Sequence, residues 1–420
     1  MIKTTKKLMA TGLVMAMMAA TGCNSANNGD ETKNREDTEQ TAITMTRNEI
    51  AEVSDIKVEN VNSYCDFSVS LLQNSYYGGN TLVSPLSVMT ALGMTENGAA
   101  NATLAEMENT MGMSLEDTNN LMYYFEQNYL GEQISMANNI WVNSSRNIEL
   151  QEEYRQKVFD YYGNGVVSEE FGDETINHVN QFVDEHTAHR IPTILEYLDP
   201  DAAMILVNAL TFDGVWANPF EPDRTYQQSF FAENGEIRMD MMHGSTYGYI
   251  SGDNETGFVK PYEGGYSFVA LLPDEGITIE DYINSLSGDE IQNMISSRQH
   301  DEVFITVPQF TAEFDIELNQ ALDNMGMPTA FTDAADFTNM ATTGDEIELL
   351  RIGRVIHKTF ISVDEEGTEA AAATVVMMDE ATSCEPDPDP LFVVLDRPFV
   401  YMIIETNTNM PVFIGAYTGE

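Results

Sequence analysis

From Asp364 to Thr374 the chain reads Asp-Glu-Glu-Gly-Thr-Glu-Ala-Ala-Ala-Ala-Thr, and Gly367 to Ala373 carries almost no bulky side chain. By local propensity, acids ahead of four alanines describe a short helix with a favourable N-terminal charge; a plain flexible linker is the other ordinary reading. The steric reading differs. A run of small, largely uncharged residues, continued by Val375-Val376-Met377-Met378, can slip between two existing strands at low cost. That mechanical property constrains the rest of the chain, which has to supply a sheet able to take the run.

The first residues stand apart from any such fold. Lys3, Lys6 and Lys7 precede a mostly apolar run from Leu8 to Ala20, the pattern of a secretory leader over residues 1–22. The run is shorter than the roughly twenty apolar residues that span a bilayer. Its end, Ala20-Thr21-Gly22-Cys23, resembles a bacterial lipoprotein cleavage box, with Cys23 as the lipidated residue, although that pattern prefers leucine where Ala20 stands. Cleavage by an ordinary signal route, with Cys23 as an unmodified thiol, is the alternative. Residues 23–50 then form the anchor cysteine and a polar, acidic tether too poor in apolar groups to offset its ordering entropy. The expected location is extracytoplasmic, lipid-anchored to the membrane or surface, or secreted without the lipid. Residues 51–420 show no further linker or repeat and are expected to form a single domain.

The charge balance is extreme, with 68 acids against 19 bases and a formal charge of −49. Removing the three leader lysines takes it to −52. Such a polyanion repels nucleic acid, glycosaminoglycans and anionic headgroups and attracts cationic partners. Solvation in a salty or acidic habitat explains the same charge.

Catalytic motifs are missing: the chain has no Gly-x-Ser-x-Gly, His-Glu-x-x-His, phosphate-binding glycine loop or Cys-x-x-Cys. His186 and His189, with His178 upstream, have a spacing that two metal-binding imidazoles could use on a helix, but no third ligand is placed to close a site. A Ser–His pair has no local support either. The expectation is a protein that is not an enzyme and holds no metal or cofactor.

The order of several short motifs carries more information. Asn80-Thr81-Leu82-Val83-Ser84-Pro85-Leu86-Ser87, Met94-Thr95-Glu96-Asn97-Gly98-Ala99, Ala137-Asn138-Asn139-Ile140-Trp141, and Leu206 to Trp216 with Asn218-Pro219-Phe220 follow one another. Pro261-Tyr262, Leu271-Leu272-Pro273, Ile356-His357-Lys358, Arg397 to Tyr401 and Pro411 to Gly415 complete the series. Together they resemble the serpins, the serine protease inhibitor family, over residues 56–420. Local pattern agrees. Leu206–Phe212 and Phe399–Ile404 are continuous apolar runs suited to buried strands, while Tyr64, Phe67, Leu71 and Leu72, and Leu318, Ala321, Leu322 and Met325, fall at helical spacing. Helices and strands without regular alternation indicate α+β architecture. The resemblance implies the serpin fold, with a large central mixed sheet, additional sheets, about eight to nine helices and an exposed reactive-centre loop.

That family traps a serine protease as an acyl-enzyme while the cut loop inserts as a new strand of the large sheet. The resemblance makes Glu365, Glu366, Gly367, Thr368, Glu369, Ala370, Ala371, Ala372, Ala373 and Thr374 the loop hinge. Strand side chains alternate, so with Thr368 inward, Ala370, Ala372, Thr374, Val376 and Met378 share the inner row, all small or apolar. A charge there would cost several kcal/mol unless paired. Inserting about fourteen residues adds two ladders at roughly 1 kcal/mol per bond, so a drive on the order of 10 kcal/mol is expected. Fourteen residues beyond Gly367 lies Ala381, which places the reactive bond at Ala381–Thr382, with a slip of one or two residues making Thr382 or Glu380 the site instead. Met378 is a secondary site for a chymotrypsin-like enzyme. The small side chain and the absence of Lys and Arg from Gly367 to Leu395 point to an elastase-like protease, with subtilisin-like enzymes the next class. A non-inhibitory serpin acting as carrier, chaperone or scaffold is the alternative.

Ser84, Ser87, Asn208 and His357 resemble the polar cluster beneath the family's sheet, and Trp216 the tryptophan where insertion begins. These are conformational-control residues. Gln309 replaces the lysine with which many members pair the hinge glutamate, here Glu365, so the top of the sheet is expected to lose an ion pair. The implied positions of Cys65, in the first helix, and Cys384, in the loop, leave two free thiols and no disulfide. A monomer is expected, with a serine protease as partner, membrane contact through the lipid alone, and no heparin or nucleic acid.

Overall fold

The strand Met204–Phe212 is buried along its whole length, and its alternation divides the interior in two. Ile205, Val207 and Ala209 pack with Trp141 and with Val179 and Val183 of the helix Asp173–His186. Leu206, Leu210 and Phe212 face the main core. A strand covered on both faces reads as one apolar run, which is why its sequence shows no period of two.

The computed structural model describes residues 45–50, 53, 56–129, 133–146, 148–163, 165–343, 350–368 and 390–419. Within residues 50–420, which pack as one unit, the described residues hold nine α-helices and three sheets. The large sheet runs Val166–Glu169, Ile134–Asn143, Met204–Phe212 and Arg354–Val363, with Phe310–Glu317 on the far side of Arg354–Val363. Two short strands, Gly367–Thr368 and Gly214–Val215, complete it at the top. Arg354–Val363 pairs in parallel with Met204–Phe212 and antiparallel with Phe310–Glu317. The second sheet is mainly antiparallel and includes the buried pair Phe399–Glu405 and Pro411–Tyr417, with Thr81–Val83 at the edge beyond Pro411–Tyr417.

The helix Pro85–Glu96 lies under the large sheet with every residue buried. Ser84 caps it, its side chain accepting the Ser87 N–H at 3.1 Å, and Pro85 fits the first turn, where no N–H is needed. Gly93 permits close packing, since a Cβ there would lie 2.4 Å from the Tyr162 hydroxyl. The first helix, Val58–Ser75, buries Tyr64, Phe67, Leu71 and Leu72, as the helical spacing requires. It also buries Cys65, an unpaired thiol that receives Gln292 Nε2 at 2.9 Å and is pushed up to about 12 by burial. Asn319–Met325 is the helix expected from Leu318 to Met325, with Leu318 at its N-cap.

Glu96, fully buried at the end of its helix, is the strangest member of the core. Burial first, then the charge of Glu108, pushes its carboxyl up to about 8 from 4.5, with Thr118 and Lys157 opposing. Between those values the unfolded chain has lost the proton that the folded chain keeps, so this group's contribution falls as pH rises from 4.5 to 8. Glu96→Gln removes the dependence. In urea unfolding the variant matches the native chain near pH 4.5 and gains on it by about 1.4 kcal/mol per pH unit toward pH 8.

Candidate functional site

Seven register pairs, Arg354–Phe360 against Ile205–Thr211, form the only parallel seam in the middle of the large sheet among the described residues. His357 stands opposite Asn208, and Asn208 stands opposite Asn138 on the next strand. Three polar side chains therefore sit in one row across three strands, all buried above the Pro85–Glu96 helix. His357 Nε2 accepts the Ser84 N–H at 3.0 Å, which leaves the proton on Nδ1, and Nδ1 donates to Asn208 Oδ1 at 2.5 Å. Burial drives the imidazole down to about 3, so it is neutral throughout the physiological range. Ser87 Oγ donates to Asn138 Oδ1 at 2.8 Å, and Asn138 Nδ2 returns a bond to the Ser87 carbonyl at 3.1 Å. The His357–Asn208 bond bridges the two strands of the seam, while Ser84 and Ser87 tie the row to the helix. Asn208 Nδ2 has no partner among the described residues.

Above the seam the chain turns back on itself. Asp364 Oδ1 accepts the N–H groups of Glu366 and Gly367 at 2.9 and 3.1 Å, and its own N–H bonds the Gly367 carbonyl at 2.9 Å. This tight turn places Gly367 opposite Val215, and Thr368 between Val363 and Gly214. The first two positions of the loop are thus already seated as a strand. Only glycine fits at 367, because a Cβ would lie 2.0 Å from the Gly214 carbonyl oxygen. Thr368 is fully buried, with its hydroxyl 2.5 Å from Tyr262 Oη.

The seat beneath the turn is aromatic. The Trp216 and Phe220 N–H groups donate to the Glu366 and Glu365 carbonyls, each at 2.9 Å, and Trp216 Nε1 donates to the Asp364 carbonyl at 2.9 Å. Trp216 stacks on Tyr262 at 4.1 Å and meets Phe220 edge-on. Gln309 Nε2 donates to Glu365 Oε2, so a hydrogen bond stands where the sequence reading expected a lost ion pair.

Ser84, Ser87, Asn208 and His357 come together as one cluster, and Trp216 meets Asp364, Glu365, Glu366, Gly367 and Thr368 at another. Asn138, Phe220 and Tyr262, which stand in the sequence motifs without an assigned role, and Lys260, which stands in none of them, also belong to these sites. Glu369, Ala370, Ala371, Ala372, Ala373, Thr374, the Ala381–Thr382 bond, Cys384 and Cys23 lie outside the described residues. The three histidines weighed as ligands have separate partners: His178 bonds Glu169, His189 bonds Asp184, and His186 bonds the Phe182 carbonyl.

A central parallel seam topped by a returning hairpin is the frame of this site. The family model for Serpin (serine protease inhibitor) matches residues 62–419, and the chain belongs to that family. It is 30% identical over 369 residues to a serpin-like protein of Thermococcus kodakarensis, covering 84% of each chain. It is 27% identical to alpha-1-antiproteinase of Rattus norvegicus, over 84% of this chain and 87% of that one. Among solved structures, the thermophilic serpin tengpin in its native state superposes with a TM-score of 0.83 at 35% identity, over 90% of this chain and 98% of that one. The latent state of tengpin gives 0.75 at 34% identity, over 87% and 98%.

The geometry sets two expectations. His357, held near 3 when folded against 6.5 unfolded, contributes stability that is complete above pH 6.5 and declines as pH falls toward 3. Urea unfolding of the native chain should lose about 1.4 kcal/mol per pH unit through this group, a slope absent in His357→Gln. Gly367→Ala should unseat the hinge. With the Asp364 bond lost, Trp216 emission moves to longer wavelength and stability falls by about 1–3 kcal/mol.

Proposed function

We propose that the chain is a suicide inhibitor of serine proteases of the elastase-like class. The observation that carries this reading is the seating of Gly367 and Thr368 at the head of the parallel seam. The strand that has to enter already has its register. Each further residue would separate one step of a parallel ladder and gain pairing on both sides, antiparallel to each neighbour. Buried Thr368 sets the parity, so Ala370, Ala372, Thr374, Val376 and Met378 follow on the inner row and bring no charge with them.

In this reading the protease attacks Ala381–Thr382 through its serine, forms an ester with Ala381 and releases the downstream amine. Insertion of residues 367–380 then carries the tethered enzyme toward the far end of the sheet and distorts its site before water reaches the ester. None of the chain's own side chains performs catalysis; its residues supply a cleavable bond and a driving force. The net charge of −49 suits a cationic protease, and Cys23 would hold the inhibitor by lipid on the outer side of the membrane.

Mixing the purified protein with a neutrophil-elastase-type protease tests the reading by denaturing gel and mass spectrometry. The expected product is a denaturant-stable adduct through Ala381 with the downstream peptide released. Clean cleavage at this bond without an adduct would mark a substrate-like loop and overturn inhibition. Thr374→Arg places a charge on the inner row and should convert an inhibitor into a substrate, lowering the adduct yield at least about tenfold, the factor equivalent to 1.4 kcal/mol.

A further inference from the structure

Lys260 is 3% exposed, in the strand Glu255–Pro261 opposite Phe268. Its Nζ donates to the Asn218 carbonyl at 2.6 Å and lies 4.4 Å from the Phe220 ring centre and 5.2 Å from that of Trp216. It makes no ion pair among the described residues. Lysine is almost never fully buried without an acid beside it, because a carbonyl and two aromatic faces replace only part of its hydration. The groups it touches are the ones that hold the hinge: Trp216 and Phe220 receive the turn Asp364–Gly367 on their N–H groups, and Trp216 lies flat on the tyrosine that bonds Thr368.

We propose that Lys260 is a positioning residue whose proton sets how firmly the hinge is seated: the buried ammonium gains water when residues 364–368 lift, and the neutral amine lets the seat close. The proposal rests on the inhibitor reading only for its consequence, the rate at which the loop enters the sheet. The hinge equilibrium itself does not depend on a protease.

The direction follows from linkage. Burial pushes the seated lysine down to about 7, whereas an ammonium reached by water keeps its ordinary value of 10.5. Between these values the lifted state binds the extra proton, so seating strengthens as pH rises from about 7 toward 10.5 and is level below 7. The charged groups on the surrounding segments are Asp364, Glu365 and Glu366 of the turn, Glu221 after Phe220, Glu263 after Tyr262, Glu255 on the lysine's own strand, and His243 beside the glycine that Phe220 covers. Burial lowers both His243 and His357 from 6.5, so neither titrates in this window. Glu96 does titrate there, but it belongs to the Pro85–Glu96 helix and is common to every chain compared.

The test uses the full chain with Trp141→Phe, which leaves Trp216 as the sole tryptophan. Trp216 emission is followed from pH 6 to 10 in this chain and with Lys260→Met or Lys260→Arg added. Emission should be level below about pH 7 and change as pH rises above it with the lysine, and show no such transition in either variant. The second readout is annealing of a synthetic peptide with the sequence of residues 367–380, which needs the pairing that Gly367 and Thr368 occupy. Annealing should be at least about tenfold faster at pH 7 than at pH 9 in the native chain, slow at both in Lys260→Met and fast at both in Lys260→Arg. Coincident pH profiles for the native and Met chains would overturn the proposal, whatever the protease assay gives. A titration lost in the variants, in a chain that forms no adduct, would sustain the proposal and sink the inhibitor reading instead.

Discussion

The seam between Arg354–Phe360 and Ile205–Thr211 is the constraint on which the other features depend. It is parallel, and parallel pairing is slightly less stable per residue than antiparallel. It is also central, with strands continuing on both sides, so parting it would move whole halves of the sheet rather than an edge. Its buried polar side chains are Thr211, Thr359, His357 and Asn208, and in one row His357 and Asn208 bond directly across the gap. A buried polar bond of this kind contributes little while it is made and costs much when one partner is left alone. The row therefore resists partial opening more than it strengthens the closed sheet.

At the top of the seam one glycine and one tryptophan hold the same turn. Gly367 lets two strands approach at a distance that no side chain permits, and Trp216 collects the carbonyl of the turn that precedes it. Gln309 and Glu365 add a hydrogen bond in place of an ion pair, so this corner is held by polar contacts of modest strength. Modest strength suits the place: a hinge fixed by a buried ion pair would lift with more difficulty, since separating such a pair leaves charges uncompensated.

Much of this was legible in the sequence for a physical reason. Runs such as Met204–Phe212 are apolar on both faces because both are covered, and the alternation of the loop is a property of any strand. Asn138 escaped notice because its role depends on register with Asn208, 70 residues away, and nothing in Ala137-Asn138-Asn139 says which asparagine faces the helix. Glu96 and Lys260 were missed differently. An acid at a helix end and a lysine in Phe258-Val259-Lys260-Pro261-Tyr262 both read as solvent-facing, since charged residues usually are. Only the three-dimensional packing reveals that both are buried and make no ion pair among the described residues.

Those two groups share a sign that the composition alone would not suggest. In a chain with 68 acids and 19 bases, a lysine has carboxylates available nearly everywhere, yet Lys260 has none within ion-pair distance among the described residues. Glu96 is likewise sunk where its charge is suppressed. Each holds a buried position where an apolar side chain would pack at lower cost, so each raises the energy of the folded chain, Glu96 from a helix and Lys260 from the second sheet. Lys260, unlike Glu96, lies directly beneath the two rings on which the hinge rests, which is where such a cost can be released by movement of the hinge itself.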